Sequence, residues 1–435
     1  MTRPAAAIGV SIALVVALLA ARSPAYPVAL AGLPSVVLAI AGSEPLPRGI
    51  TVTAVTAAVI IGILAAILLR GEAPPLRSIL SLPGLATALL VVLLIVRLPA
   101  SAELDIGSEK VQLFIVGNVL FLLAGVFIGW RPAHVRTLFA VMVTVAVAAA
   151  AALVLQLLTG TARTVLPDRF SIATEGGTIA LGRTSATGLV IAAYFVLSRS
   201  HGIIRLLAAG SIPVLAVALF GSGSRGPVVA LIFGLTVLLI LSVAGGAARQ
   251  PLLLIAAAAL AAVLVVPQLL PDSSISRAFS FATTDARTAS NGRITEWDTA
   301  YDALQRDPWS GVGTGEYASL RGDELYPHNI FLEAAAELGI PGLFLVLVVV
   351  IAATYQLGRA WRVTASEERL LASALLGLFV TALTNAMFSG SLPNNQSLWL
   401  WAGIGAGFAA RVVTPTASLR QRVSVSPPTQ AAAET

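Results

Sequence analysis

Val135-Arg-Thr-Leu-Phe-Ala-Val-Met-Val-Thr-Val-Ala-Val-Ala-Ala-Ala-Ala-Ala-Leu-Val-Leu-Gln-Leu-Leu158 is the stretch on which the fold turns. A helix needs about 20 apolar residues to cross the hydrocarbon core of a bilayer, and this run supplies them. Its centre, Ala146 to Leu155, lacks the apolar–polar alternation of a barrel strand. In lipid only a helix or a closed barrel satisfies its own backbone, so the stretch reads as a membrane-spanning helix. Comparable runs lie upstream at 6–21, 27–42, 50–69, 80–98 and 111–130, and downstream at 179–198, 203–220, 226–244, 251–270, 339–357, 370–388 and 397–412. The composition agrees: 57% of the residues are hydrophobic and 11% charged, against roughly 45–50% and about 25% in soluble domains. Disorder is excluded by that balance, and a disulfide framework by the absence of Cys. A net charge of +6 would suggest a nucleic-acid partner in a soluble protein. Here the charges sit between apolar runs, so the expected partner is the lipid bilayer and no nucleic acid.

The expected fold is therefore all-α, a polytopic membrane helix bundle of about 12 transmembrane helices with one large, partly helical extracytoplasmic loop. The first run follows a basic start, as a signal peptide does, but with so many later spans it reads as an uncleaved helix. The Lys/Arg bias places the connections with Arg70 and Arg77, Arg131 and Arg136, Arg199 and Arg205, Arg249, Arg359 to Arg369, and the tail with Arg411, Arg420 and Arg422 in the cytoplasm. Segments 99–110 and 159–178 then lie outside, together with the polar stretch 271–328. Ten runs precede that stretch, so either the N-terminus is outside or one early run, 27–42 being the weakest, does not cross. Four regions result: 1–270, the N-terminal transmembrane helices; 271–328, the large loop; 329–412, a short site helix and the last spans; and 413–435, a Ser-, Pro- and Ala-rich tail read as disordered and cytoplasmic.

The loop 271–328 holds nine acidic residues, and loops longer than about 12–15 residues are usually functional or disordered. Ile294, Trp297, Tyr301 and Leu304 recur at helical spacing and predict an amphipathic helix ending before Pro308. Trp297, Trp309, Tyr317 and Tyr326 suit a polar membrane boundary, with the loop lying as a lid over the bundle. Gly311, Gly313 and Gly315 lack the strand-before, helix-after context of a phosphate-binding fingerprint and read as a tight turn. Asn329 is a natural N-cap, Gly339 a natural C-terminal residue and Pro341 a stop, which predicts a helix from about 329 to 338. On it Asn329, Glu333 and Glu337 form one polar stripe, and two carboxylates one turn apart want a cation. His328 stands at the helix entrance, where imidazole can serve as a base near neutral pH; taken alone it would read as a turn residue facing water.

Arg225, in Gly221-Ser-Gly-Ser-Arg-Gly-Pro227, sits in a break between spans beside a helix start, and Arg183 lies just inside a span. An intramembrane Arg is costly enough to imply function, although Arg183 could also snorkel to the headgroups. With Arg293 at the start of the loop helix, these Arg residues and His328 describe a site for a phosphorylated lipid, because guanidinium groups bind phosphate oxygens bidentately. The chemistry expected is transfer of a group from a lipid diphosphate. His328 would be the base, Arg225 and Arg293 would act on the diphosphate, and Arg183, Asn329, Glu333 and Glu337 would bind substrate. No Asp-x-Asp pair or His-Glu-x-x-His motif is present, and Asp298 and Asp302 read as a solvated face, so no metal or other cofactor is expected.

Ser224-Arg-Gly226, Asn291-Gly-Arg with Trp297, Asp307-Pro-Trp-Ser-Gly-Val-Gly-Thr-Gly315, and Pro327-His-Asn with Glu-Leu-Gly339 within this layout resemble the O-antigen ligase and O-antigen polymerase family of bacterial inner-membrane glycosyltransferases. The specific part of the resemblance is 291–342 plus Arg225. It implies an all-helical bundle with a large periplasmic loop, a glycan donor on undecaprenyl diphosphate, a glycan or glycolipid acceptor and metal-independent transfer. It also implies partners such as chain-length regulators or flippases. The family's His corresponds to His328, its loop Arg to Arg293, its Ser-Arg to Arg225 and its Glu before Gly to Glu337, with Arg183 a looser match. Polymerase and ligase share these motifs. The competing class is a lipid-linked-oligosaccharide transporter or flippase; ion-coupled transporters usually carry midplane carboxylates and inverted repeats, and neither is seen in the sequence.

Overall fold

The computed structural model describes residues 22–31, 74–102, 104–166, 169–172, 177–199, 201–246, 249–279, 293–322 and 326–413. The runs at 6–21 and 50–69, most of 27–42 and the tail beyond 413 lie outside them. Within the described residues the chain is helical apart from one short hairpin, and nine helices are long and apolar enough to cross a membrane. Short pieces α1 (Ala25–Ala31) and α2 (Leu76–Ile79) precede α3 (Leu82–Arg97). The next span, α4 (Leu104–Gly129), contains a π-helical turn at Phe114–Val119. It is followed by α5 (Pro132–Leu158), the hairpin β1 (Thr164–Leu166) and β2 (Arg169–Phe170), α6 (Gly177–Leu197), α7 (Gly202–Gly221), α8 (Arg225–Ala244) and α9 (Arg249–Leu269). The polar stretch folds as α10 (Asp272–Phe279), α11 (Arg293–Arg306) and α12 (Tyr317–Arg321). The chain then returns through α13 (Ile330–Val363), α14 (Ser366–Phe388) and α15 (Gln396–Val413).

Close approach between spans rests on small residues, as expected where no hydrophobic driving force separates helix from lipid. On α4, Gly125 and Gly129 face Gly403 and Gly407 of α15. A Cβ on Gly129 would lie 2.1 Å from the Ile404 carbonyl oxygen, and one on Gly403 2.0 Å from that of Leu122. Around this seam Trp399 and Trp401 are completely enclosed, Trp399 edge-on to Phe114 at 5.4 Å and Trp401 to Phe139 at 6.0 Å. Large apolar side chains such as Leu89, Val96, Phe233 and Ile240 point outward, where lipid would cover them.

The basic connections gather at one end. There the Arg199 N–H donates to Glu367 at 2.8 Å and Arg411 pairs with Glu368 at 2.9 Å, joining the ends of α6, α14 and α15. The other end carries the hairpin, the α7–α8 turn, α10 to α12 and the 389–395 connection.

Two local expectations change. The amphipathic helix forms as α11, but its inward face is Glu296, Ala300 and Ala303, while Tyr301 points outward. Small Ala300 and Ala303 let the helix settle against Ala336 of α13 and Tyr317, a closer fit than the larger predicted stripe allows. The segment 99–110 is not wholly a connection, because α4 begins at Leu104 and already carries Lys110 inside the bundle.

Candidate functional site

The first part of α13 is the short helix predicted from 329 to 338. Asn329 caps it, its side-chain oxygen accepting from the N–H groups of Phe331 and Leu332 at 3.0 and 3.3 Å. Gly339, with φ 69° and ψ −165°, breaks the helix, and Pro341 sits in the first turn of the continuation. The Gly311–Gly315 turn closes on this break. Val312 and Gly313 donate N–H bonds to the Ala336 and Glu337 carbonyls at 2.9 and 3.0 Å, and the Ile340 N–H bonds to Pro308 at 2.8 Å. A Cβ on Gly311 would lie 2.4 Å from the Glu337 carbonyl carbon, so the glycines serve backbone packing, as the tight-turn reading expected.

His328 precedes the cap with φ 55°, a left-handed conformation that few non-glycine residues adopt. Its ring stands edge-on to Tyr326 at 4.7 Å. The Trp297 indole N–H donates to the Pro327 carbonyl at 3.1 Å, tying α11 to the His328 turn. Burial, followed by the charges of Arg293 and Arg183, pushes the His328 imidazole down to about 4. Both guanidinium charges are thus close enough to act on the imidazole.

Arg293, at the start of α11, also acts on Arg169 of β2, as do Arg277 of α10 and Arg225 of α8; burial and these charges lower the Arg169 pKa. Arg169 donates to Ser222 and Ser224 in the α7–α8 turn at 3.3 and 2.9 Å. The Arg225 Nε donates to the Arg277 carbonyl at 3.3 Å. Arg183 donates to the Ser389 carbonyl at 2.6 Å. All five Arg residues are half-buried. The structure therefore brings Arg183, Arg225, Arg293 and His328 to one end of the bundle and adds Arg169 and Arg277. The sequence signal for these two was weak: each is one basic residue in a mixed polar segment.

Glu333 and Glu337 are 0% and 1% exposed, with their carboxylates directed at Lys110, itself 7% exposed. The Lys110 ammonium pairs with Glu333 and with both oxygens of Glu337 at 2.7 Å. The cation that the two carboxylates required is thus the only lysine in the chain. Of the boundary aromatics, Trp309 is 72% exposed, whereas Tyr317 is enclosed and Trp297 and Tyr326 are half-buried.

Residues 210–347 match the family model described as O-antigen ligase. The chain carries an O-antigen ligase family domain. The resemblance drawn from the motifs is thereby borne out. The O-antigen ligase family domain spans Arg225, Arg277, Arg293 and the whole stretch His328 to Glu337. Lys110, Arg169, Arg183 and the 389–395 connection reach the same end of the bundle from outside the matched residues. No curated protein matches the chain significantly. An O-antigen ligase or polymerase type of function, on a lipid-linked glycan in a membrane, follows from the family in general terms.

Proposed function

We propose that the protein is a metal-independent glycosyltransferase of the outer face of the bacterial cytoplasmic membrane. It would transfer a glycan from undecaprenyl diphosphate, or a similar polyprenyl diphosphate, to a hydroxyl on a glycan or glycolipid acceptor. The observation that carries this reading is the convergence of Arg169, Arg183, Arg225, Arg277 and Arg293 on the end of the bundle where His328 stands. In the step, an imidazole nitrogen of His328 takes the proton of the acceptor hydroxyl and the acceptor oxygen bonds to the anomeric carbon. The bond from that carbon to the diphosphate oxygen breaks, and the electron pair leaves on the diphosphate, where guanidinium groups stabilise it. The basic opposite end supports the orientation through the Lys/Arg bias of short cytoplasmic loops.

Burial, together with the charges of Arg293 and Arg183, keeps His328 a weak base in the free protein. Bound donor would offset their charge and raise the proton affinity of the imidazole. The acidic limb of kcat/KM, which reports the free protein, is therefore expected near pH 4, and the limb of kcat, which reports the donor complex, at higher pH. Coincident limbs in the two profiles would remove this coupling.

The deciding assay uses lipid-reconstituted protein with a polyprenyl-diphosphate oligosaccharide, reading glycan length and released lipid diphosphate. A ladder of repeats means polymerase, and a single transfer that needs a second acceptor means ligase. Movement of the intact lipid across the bilayer with no release would replace the reading by a transporter.

A further inference from the structure

Lys110, Glu333 and Glu337 form a buried charge cluster to which the proposed transfer assigns no step. Removing the cation would leave two carboxylates one turn apart in a low dielectric, an arrangement that only paired charges make tolerable. The cluster also reaches beyond itself. The Glu333 oxygen not directed at Lys110 accepts the Leu392 N–H at 2.7 Å. Asn118, on the π-helical turn of the helix that carries Lys110, donates its amide to the Leu392 carbonyl at 2.9 Å. One residue of the 389–395 connection, Leu392, is thus gripped on its N–H by α13 and on its carbonyl by α4. This connection presents the Ser389 carbonyl to Arg183 at 2.6 Å. It is braced internally by Asn395, which donates to the carbonyls of Ser391 and Ser389 at 2.7 and 3.4 Å. The π turn is consistent with this duty, since such interruptions of an α-helix recur at functional positions.

We propose that Lys110 is a positioning residue for Arg183. By neutralising Glu333 and Glu337 it keeps Glu333 on the Leu392 N–H, and so fixes the connection whose Ser389 carbonyl aims the Arg183 guanidinium. The inference rests on the proposed function only for the identity of the anion that Arg183 meets.

The test uses the full chain in nanodiscs, with two readouts. One is backbone hydrogen exchange over 389–395; the other is affinity for undecaprenyl diphosphate. For Lys110→Met, exchange in 389–395 is expected to rise by about tenfold or more in the folded protein, with α7 and α9 unchanged. Affinity should fall, and Lys110→Met combined with Arg183→Ala should bind no worse than Arg183→Ala alone, because both changes break one chain of contacts. Unchanged protection of 389–395, or losses that add in the double variant, would overturn the proposal. If Lys110→Met does not fold, Asn118→Leu removes the other grip on Leu392 and should give the same exchange response and the same non-additivity; its failure to do so overturns the proposal equally. A wild-type protein that takes up no undecaprenyl diphosphate while the exchange response holds would defeat the donor assignment and support the positioning role.

Discussion

His328→Ala is expected to lower turnover by about 10²–10⁴-fold, the usual range for a lost general base, while donor affinity stays within a few-fold of wild type. The separation follows from the geometry. The imidazole is uncharged at neutral pH, because burial and the neighbouring Arg293 and Arg183 hold it down to about 4. It therefore adds no positive charge to the attraction of a diphosphate, and its removal leaves every guanidinium in place. The substitution does not relieve the backbone strain, since Ala is no better suited than His to φ 55°. A folded His328→Ala protein that kept full turnover would require another base. Equal losses in binding and turnover would mean that the imidazole holds substrate rather than moving a proton.

Arg225→Ala combined with Arg293→Ala is expected to give the second large effect, a fall in kcat/KM of about 10²–10⁴-fold, on the estimate that each charge-assisted hydrogen bond is worth about 1.5–3 kcal/mol. The two single substitutions should differ in a way that magnitude alone would not show. Arg293 is one of the charges that depress His328, and Arg225 is not. In Arg293→Ala the imidazole loses a cationic neighbour, its pKa rises, and the acidic limb of kcat/KM moves to higher pH. In Arg225→Ala the limb should stay where it is while affinity drops. Parallel pH profiles for the two variants would show that Arg293 does not share a site with His328. Losses confined to kcat would show that the Arg residues act on the leaving group without contributing to donor affinity in the ground state.

Much of the site helix was legible because its signals are local. Asn329 caps through bonds to residues two and three positions on, and Gly339 breaks the helix through its own dihedral angles. The glycines of 311–315 were rightly separated from a phosphate-binding loop, since the strand required before them is missing and a turn stands there instead. The face of α11 was less legible. A stripe of Trp297, Tyr301 and Leu304 has the right period, but Ala300 and Ala303 allow the closer approach, and the helix turns by about one position to use them. Lys110 was not legible as part of the cluster. Its neighbours Glu109 and Asp105 are exposed and suggest a surface loop, while its partners lie more than two hundred residues away.

The sequence by itself determined that the chain is a bundle of membrane-spanning helices, because runs of about 20 apolar residues leave the backbone no other way to satisfy its hydrogen bonds in lipid. It also determined where the spans break and where a base could stand, since Gly, Pro and Asn act on their own turn of the chain. The tertiary structure alone decided that Arg169 and Arg277 join Arg183, Arg225 and Arg293, and that Lys110 neutralises Glu333 and Glu337. Those contacts depend on how helices rotate and cross. That is set by glycine seams such as Gly125 and Gly129 against Gly403 and Gly407, where a single Cβ would push the backbones apart and carry the polar groups of the site out of register.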